Sequence, residues 1–297
     1  MNQIVRIMQN NVLYRLRFPN IVGSSFFALT GLILNLRNPI HYDVYNAILI
    51  ILSMIFFNIF IWISNDYYDA PYDAADEYKK SRNVFCGNPN NRDYKIGKIF
   101  IWLSLISGLI SGLLAGFIYF MFAAAGLLLA YLYNSPIFRA KSRLGFDWIF
   151  HVIWFQITFL PLYLYIFGFN VIWSLDIQFY SVFLFISLAS LLAQINHQIP
   201  DYSLDLQTNQ RTTVVILGID ATIKLRYAFY FFIAMATIVL CLLKGTVIAL
   251  LMMVVYTAYL LKTDTKKAAD VPLAWLYFFI VDFLIISPFL TFVFSIF

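Results

Sequence analysis

Two sets of oxygen-bearing side chains are spaced for chemistry. The first is Asn65-Asp66-Tyr67-Tyr68-Asp69-Ala70-Pro71-Tyr72-Asp73 and the second is Asp201-Tyr202-Ser203-Leu204-Asp205. On a helix, a step of four residues rotates a side chain by only about 40°. Asn65, Asp69 and Asp73 therefore share one stripe, as do Asp201 and Asp205, while Asp66 points roughly 100° away. Acids gathered at a membrane edge suit a divalent cation, and Mg²⁺ in particular takes a few carboxylate oxygens plus water and ligand phosphates. The plainer alternatives are a solvated helix end for the first set and stray loop acids for the second. Basic residues accompany both. Lys79, Lys80 and Arg82 follow the first set and Arg211 follows the second. Between them lie Arg139, Lys141 and Arg143, in Tyr133-Asn-Ser-Pro-Ile-Phe-Arg-Ala-Lys-Ser-Arg. Positive-inside bias explains any one of these; together they would bind the outer oxygens of a diphosphate and stabilise charge as it leaves.

The elements that must position these groups are membrane spans. The chain has 297 residues, 62% hydrophobic and 12% charged, against about 25% charged in a soluble domain. Segments 18–36, 44–65, 99–138, 148–175, 177–200, 227–243 and 245–261 lack any Asp, Glu, Lys or Arg, and 271–297 is broken only by Asp282. A spanning helix needs about 20 such residues. Segment 99–138 is too long for one span and carries Gly108, Gly112 and Gly116, so it reads as two helices turning near Gly116. The expected count is nine spans in an all-α bundle, a single membrane-embedded domain over 1–297. Of the 20 Lys and Arg residues, all but Arg37 and Lys244 then fall before the first span or in even-numbered loops. The positive-inside rule places that face in the cytoplasm, with the N-terminus and both acidic sets, and the C-terminus outside.

This topology accounts for most of the net charge of +5. No Lys/Arg run tracks a nucleic-acid backbone, and nucleic acid is not an expected partner. The first 17 residues carry three arginines and no cleavable apolar stretch. Cys86 and Cys241 form neither a disulfide framework nor a metal motif. Two prolines mark the acidic sets. Pro71 would clash with the Tyr67 carbonyl, so the helix should kink or a short new one start there. Pro200 is suited to opening a new helical turn that aims Asp201 and Asp205 alike. Among other polar groups, His197 could orient a carboxylate or a substrate, and Asp282 could serve an acceptor or simply bond a neighbouring helix. Asn58, His151 and Gln156 are expected to hydrogen-bond between helices.

The motifs resemble those of the UbiA superfamily of intramembrane prenyltransferases. Asn65 to Asp73 matches its NxxxDxxxD motif, Tyr133 to Arg143 looks like its Tyr-Ser-x-Pro…Lys-x-Arg loop, and Asp201 to Gly218 is similar to its second DxxxD motif with a basic-Thr and Leu-Gly ending. The resemblance covers essentially the whole chain. It implies nine transmembrane helices around a central cavity, with Mg²⁺ held at Asn65, Asp69, Asp73, Asp201 and Asp205. It further implies catalytic roles for those four aspartates and Lys141, and substrate binding by Arg82; on the reading of the residues themselves, Lys79, Arg139, Arg143, Arg211, Tyr133 and His197 complete the expected substrate-binding set. The reaction implied is transfer of an isoprenyl group from an allylic polyprenyl diphosphate donor to a lipophilic acceptor in the lipid phase, with release of diphosphate. Aromatics make up 19% of the chain and their faces can stabilise an allylic cation; Tyr67, Tyr133 and Phe138 lie nearest the motifs. Three departures stand out: Pro71 inside the first motif, Arg82-Asn-Val-Phe-Cys-Gly87 without the usual prolines, and Asn209 in place of a common Gly. Gln198-Ile-Pro200-Asp201 and Lys79-Lys80 look most like the lycopene elongase branch, with a quinone-type aromatic acceptor as the competitor. Outside the family, a transporter using intramembrane acids is the alternative; it expects those acids near the bilayer midplane.

Overall fold

The computed structural model describes residues 15–35 and 41–244, and these are helical with no strand among them. α1 (Phe18–Ser25) passes through a 3-10 turn at Phe26–Leu29 into α2 (Thr30–Asn35). Then come α3 (Val44–Asp73), the short α4 (Glu77–Arg82), α5 (Arg92–Ala115), α6 (Phe117–Asn134), α7 (Phe146–Phe167), the single turn α8 (Asn170–Trp173), α9 (Ile177–Gln207), α10 (Thr213–Leu217) and α11 (Ile219–Lys244). Five of these, α3, α5, α6, α7 and α9, are long and apolar enough to cross a membrane, and 18–33 forms a shorter apolar run. The expected segment 227–243 is helical within α11. The last two expected spans, and Asp282 with them, lie outside the described residues.

Segment 99–138 does divide at Gly116, whose φ of 137° closes the α5–α6 turn. The two helices approach so closely that a Cβ on Gly112 would sit 3.0 Å from the Tyr119 carbonyl oxygen. α3 is the central element. It packs against α1, α5, α6 and α7, and α7 in turn against α2, α6 and α9, with α11 outside α9. Two polar residues at membrane depth act as the sequence suggests: Asn58 accepts from Trp154 Nε1 (2.9 Å), and Gln156 donates to Ser187 Oγ (2.8 Å) across α7 and α9. The third does so with one ring nitrogen, His151 bonding the Ser190 backbone of α9, while its Nδ1 has no partner.

One proline expectation is narrowed and the other needs correction. Helix α3 is continuous through Pro71 to Asp73, so no new helix starts there. The proline stands in the last turn, where only the bond to Tyr67 is forfeited. Pro200 likewise lies inside the unbroken α9 rather than at the start of a turn. Both acidic sets therefore ride on the ends of long rigid helices.

Candidate active site

The end of α3 carries three of the expected ligands on one stripe. Asp69 Oδ1 accepts from Lys141 Nζ at 2.6 Å and from Arg139 Nη2 at 3.1 Å. Asn65 Oδ1 accepts from the same Lys141 ammonium at 2.9 Å. Asp73, 8% exposed, accepts from Asn83 Nδ2 at 2.8 Å. Asp66 faces away, as helix geometry requires, and binds Arg17 at 2.8 Å with both of its oxygens engaged by the guanidinium.

The loop after α6 delivers the bases. Arg139 adopts φ 48°, a left-handed conformation uncommon for a non-glycine residue, and such strain clusters at functional sites. It turns the guanidinium onto Asp69, over the Tyr72 ring at 4.0 Å, and onto Gln210 Oε1 at 3.2 Å. Lys141 follows on a 3-10 turn (Ala140–Ser142) and is buried. Burial holds its ammonium below the usual lysine value, although Asp69 pulls the other way.

The second set sits on the last turns of α9. The helix ends with Gln210 N donating to the Asp205 carbonyl (2.8 Å) and Asn209 N to that of Leu206 (3.3 Å), with Asn209 left-handed at φ 54°. This is a Schellman stop, which prefers Gly and tolerates Asn at that position. The departure at Asn209 is therefore conformationally conservative. Asp205 is buried and accepts from Thr212 Oγ1 (3.2 Å). Asp201 is half-exposed and pairs with Lys79 Nζ at 2.8 Å, linking α4 to α9. Asp205 lies within electrostatic range of both Asp201 and Asp69.

Other expected residues are placed differently. Arg143 is exposed, donates to the Phe138 carbonyl and lies over its ring, so it braces the loop and does not face the acids. Arg211 and His197 are exposed, and Arg82 stacks over Tyr78 at 5.7 Å. Tyr67 packs on Phe85, on the far side of α3 from the stripe. Phe138 packs on Phe146 and Phe150. Tyr133 lines a narrow hollow beside Phe57, Ile61, Phe150, His151 and Trp154, with a volume of about 10 Å³.

Several supporting residues escaped the sequence reading: Arg17, Asn83, Asp147, Gln210 and Thr212. Asp147 is fully buried and ties three elements together, accepting from Gln198 Nε2 (2.7 Å), from Thr213 N (2.8 Å) and from the Thr213 hydroxyl. Two carried a local signal. Thr212 precedes an apolar run and caps α10, accepting from Val215 N (3.4 Å), and Asn83 caps a 3-10 turn, accepting from Phe85 N (2.9 Å). Arg17, Asp147 and Gln210 are recognised through partners dozens of residues away.

Among the described residues no three acidic, histidine or cysteine side chains are gathered closely enough to form a ready metal cage. The residues nonetheless fit Mg²⁺. The set is hard oxygen throughout, and the Lys141 ammonium already occupies a cation position between the Asn65 and Asp69 oxygens. Mg²⁺ binds through one or two carboxylates plus phosphate and water, without needing an all-protein cage.

A model of the UbiA prenyltransferase family matches residues 24–290. Among solved structures, a UbiA homologue from Archaeoglobus fulgidus bound to GPP and Mg²⁺ superposes with a TM-score of 0.65 at 15% identity, covering 92% of this chain and 99% of that one. The same homologue bound to DMAPP and Mg²⁺ gives a TM-score of 0.63 at 15% identity, over 92% and 99% of the two chains. A structure of digeranylgeranylglyceryl phosphate synthase gives 0.58 at 18% identity, over 92% and 95%. At these identities the likeness establishes a common fold. No curated protein sequence matches the chain.

Proposed function

We propose, from the premise that the chain belongs to the UbiA prenyltransferase family, that it transfers an isoprenyl group from an allylic polyprenyl diphosphate to a lipophilic acceptor within the membrane. The observation that carries this reading is the cation position at Asn65 and Asp69, filled by Lys141 and flanked by Arg139. The Archaeoglobus fulgidus homologue binds Mg²⁺ together with GPP or DMAPP, which is the pairing these residue types suit. Asn65, Asp69 and Asp73 from α3, and Asp201 and Asp205 from α9, would hold Mg²⁺. Bound there, the ion would neutralise charge on the departing diphosphate.

The chain's own residues do the rest. Arg139, Lys141 and Lys79 exchange their carboxylate partners for diphosphate oxygens and stabilise the leaving group as the C1–O bond breaks with its electron pair. Arg82 and Arg211 extend the basic rim. Tyr133 stands at the neck of the slot, where its ring face meets the allylic cation. Its hydroxyl is held by Gln194 Nε2 at 3.1 Å, which fixes that face. The aromatic walls exclude water, so the cation is captured by the acceptor before it is quenched.

In this reading nine spans form one domain over 1–297, with the N-terminus and the active-site loops cytoplasmic. Every described basic residue at the site lies in a connection between long helices, α3 to α5, α6 to α7 or α9 to α11, at one end of the alternating helices, consistent with that orientation. The acceptor is a carotenoid, on the likeness of the Gln198-Ile-Pro200-Asp201 element, or an aromatic quinone precursor. Family membership and the position of the acids at helix ends favour the enzyme over a transporter.

The test is direct. The protein in lipid vesicles should release pyrophosphate from geranylgeranyl diphosphate with Mg²⁺, stop on adding EDTA, and recover with Mg²⁺. Mass spectrometry of the lipid phase then identifies the prenylated acceptor. Release that ignores EDTA would overturn the metal assignment, and the absence of any prenylated product would overturn the transferase.

A further inference from the structure

The stripe bearing Asn65, Asp69 and Asp73 continues into the membrane through Ile61 and Phe57, each four residues further along α3. At 1.5 Å per residue, Ile61 lies about 12 Å below Asp69 along the helix axis. Each step of four turns by about 40°, so Ile61 is about 80° and Phe57 about 120° round the helix from Asp69; both line the slot, and Tyr133 in its wall lies within electrostatic range of Asp69 and Arg139, so in the transferase reading the slot borders the path of the donor's allylic end.

Its walls are carbon apart from three polar side-chain groups. Trp154 Nε1 donates to Asn58 (2.9 Å) and the Tyr133 hydroxyl accepts from Gln194 (3.1 Å). The third is His151, which is 5% exposed and held between the rings of Trp154 and Phe155, each with its centroid 5.0 Å away. A neutral imidazole offers one N–H and one lone pair. The Ser190 backbone is its hydrogen-bonding neighbour and suits the N–H. No described group donates to the lone pair, and Nδ1 is without a partner. Buried polar atoms are rarely left this way without a functional reason.

We infer that His151 is the proton acceptor of the transfer, taking from the acceptor molecule the proton it must shed once the new bond to the prenyl C1 has formed. The inference rests on the transferase reading. The C1–O bond breaks with its electron pair going to diphosphate, and C1 bonds to the acceptor. The acceptor's C–H or O–H bond then yields its electrons to the product and its proton to the imidazole, which later returns that proton to solvent. A cationic adduct is a strong acid, so a weak base in a dry site is sufficient. The lone pair is held in place by aromatic packing, and the faces of Phe150 and Trp154 stabilise positive charge until it is removed.

The experiment uses the full chain in vesicles with Mg²⁺, geranylgeranyl diphosphate and either lycopene or 4-hydroxybenzoate, whichever the unmodified protein prenylates. Pyrophosphate and prenylated product are counted in the same reaction for His151→Phe and His151→Gln. The first keeps a ring against Trp154 and Phe155, and the second keeps a polar group that holds no proton. General bases contribute about 10²–10⁴-fold, so in both variants pyrophosphate should outrun product at least about tenfold, the excess donor appearing as prenyl alcohol. Unfolded molecules form neither, so the ratio reports only on folded protein. Equal amounts of pyrophosphate and product in either variant, at any rate, would overturn the inference. If the unmodified protein forms neither, the transferase reading itself has failed.

Discussion

Asp69→Asn separates the roles of the acid that holds the site together. The carboxylate is shared by Lys141 at 2.6 Å and Arg139 at 3.1 Å, and those side chains are only 8% and 14% exposed. Removing one partner of a buried pair costs about 3–5 kcal/mol. Here each base keeps another contact: Lys141 with Asn65 at 2.9 Å, and Arg139 with Gln210 at 3.2 Å. The lower end, ~3 kcal/mol, is therefore expected. For a chain of this size that is a fall of about 5 °C in Tm. Loss of a charge aimed at the leaving group should also cut turnover by about 10²–10³-fold. Thermal unfolding in detergent gives the first number, and Mg²⁺-dependent pyrophosphate release from geranylgeranyl diphosphate gives the second. A variant with unchanged Tm would show that the two bases do not depend on Asp69. Unchanged turnover would remove the stripe from the chemistry altogether.

Two further outcomes follow from the same reasoning. In Asp201→Asn the lost partner is Lys79, in a pair whose acid side chain is 39% exposed, so stability should change by less than about 1 kcal/mol while pyrophosphate release is lost; a large fall in Tm with retained release would reverse that assignment. Gly112→Val places carbon against the Tyr119 carbonyl oxygen, 3.0 Å from an added Cβ, and against the Phe120 backbone at 3.2 Å; overpacking of about 2 kcal/mol should lower Tm while leaving the EDTA response of the remaining activity intact.

The site was partly legible because helix geometry is local. Asn65, Asp69 and Asp73 share a stripe in the structure for the reason their spacing requires, and Asp66 faces away for the same reason. The break at Gly116 was readable because only glycine tolerates its φ of 137°. Pro200 misled for a reason that sequence cannot express. The cost of a proline in a helix is the same in any sequence, but whether packing covers it is decided by neighbours. α3 and α9 are each held by several other helices, and they continue through.

Composition and charge placement determined that the chain is a helical membrane protein, with its acids and bases at one end of the bundle, because the bilayer imposes length and apolarity on every span. They could not determine pairing. Each base near the site could meet any of several acids, and spacing along the chain says nothing of contacts between residues 70 or more positions apart, such as Arg139 with Asp69 or Lys141 with Asn65. Which helix lies beside which decided that Lys141 occupies the cation position, that Arg143 turns away, and that Asp147, unremarkable in the sequence, ties α7, α9 and α10 together. Packing alone also left the His151 lone pair open, since a hydrogen bond exists only where tertiary structure brings a donor within about 3 Å.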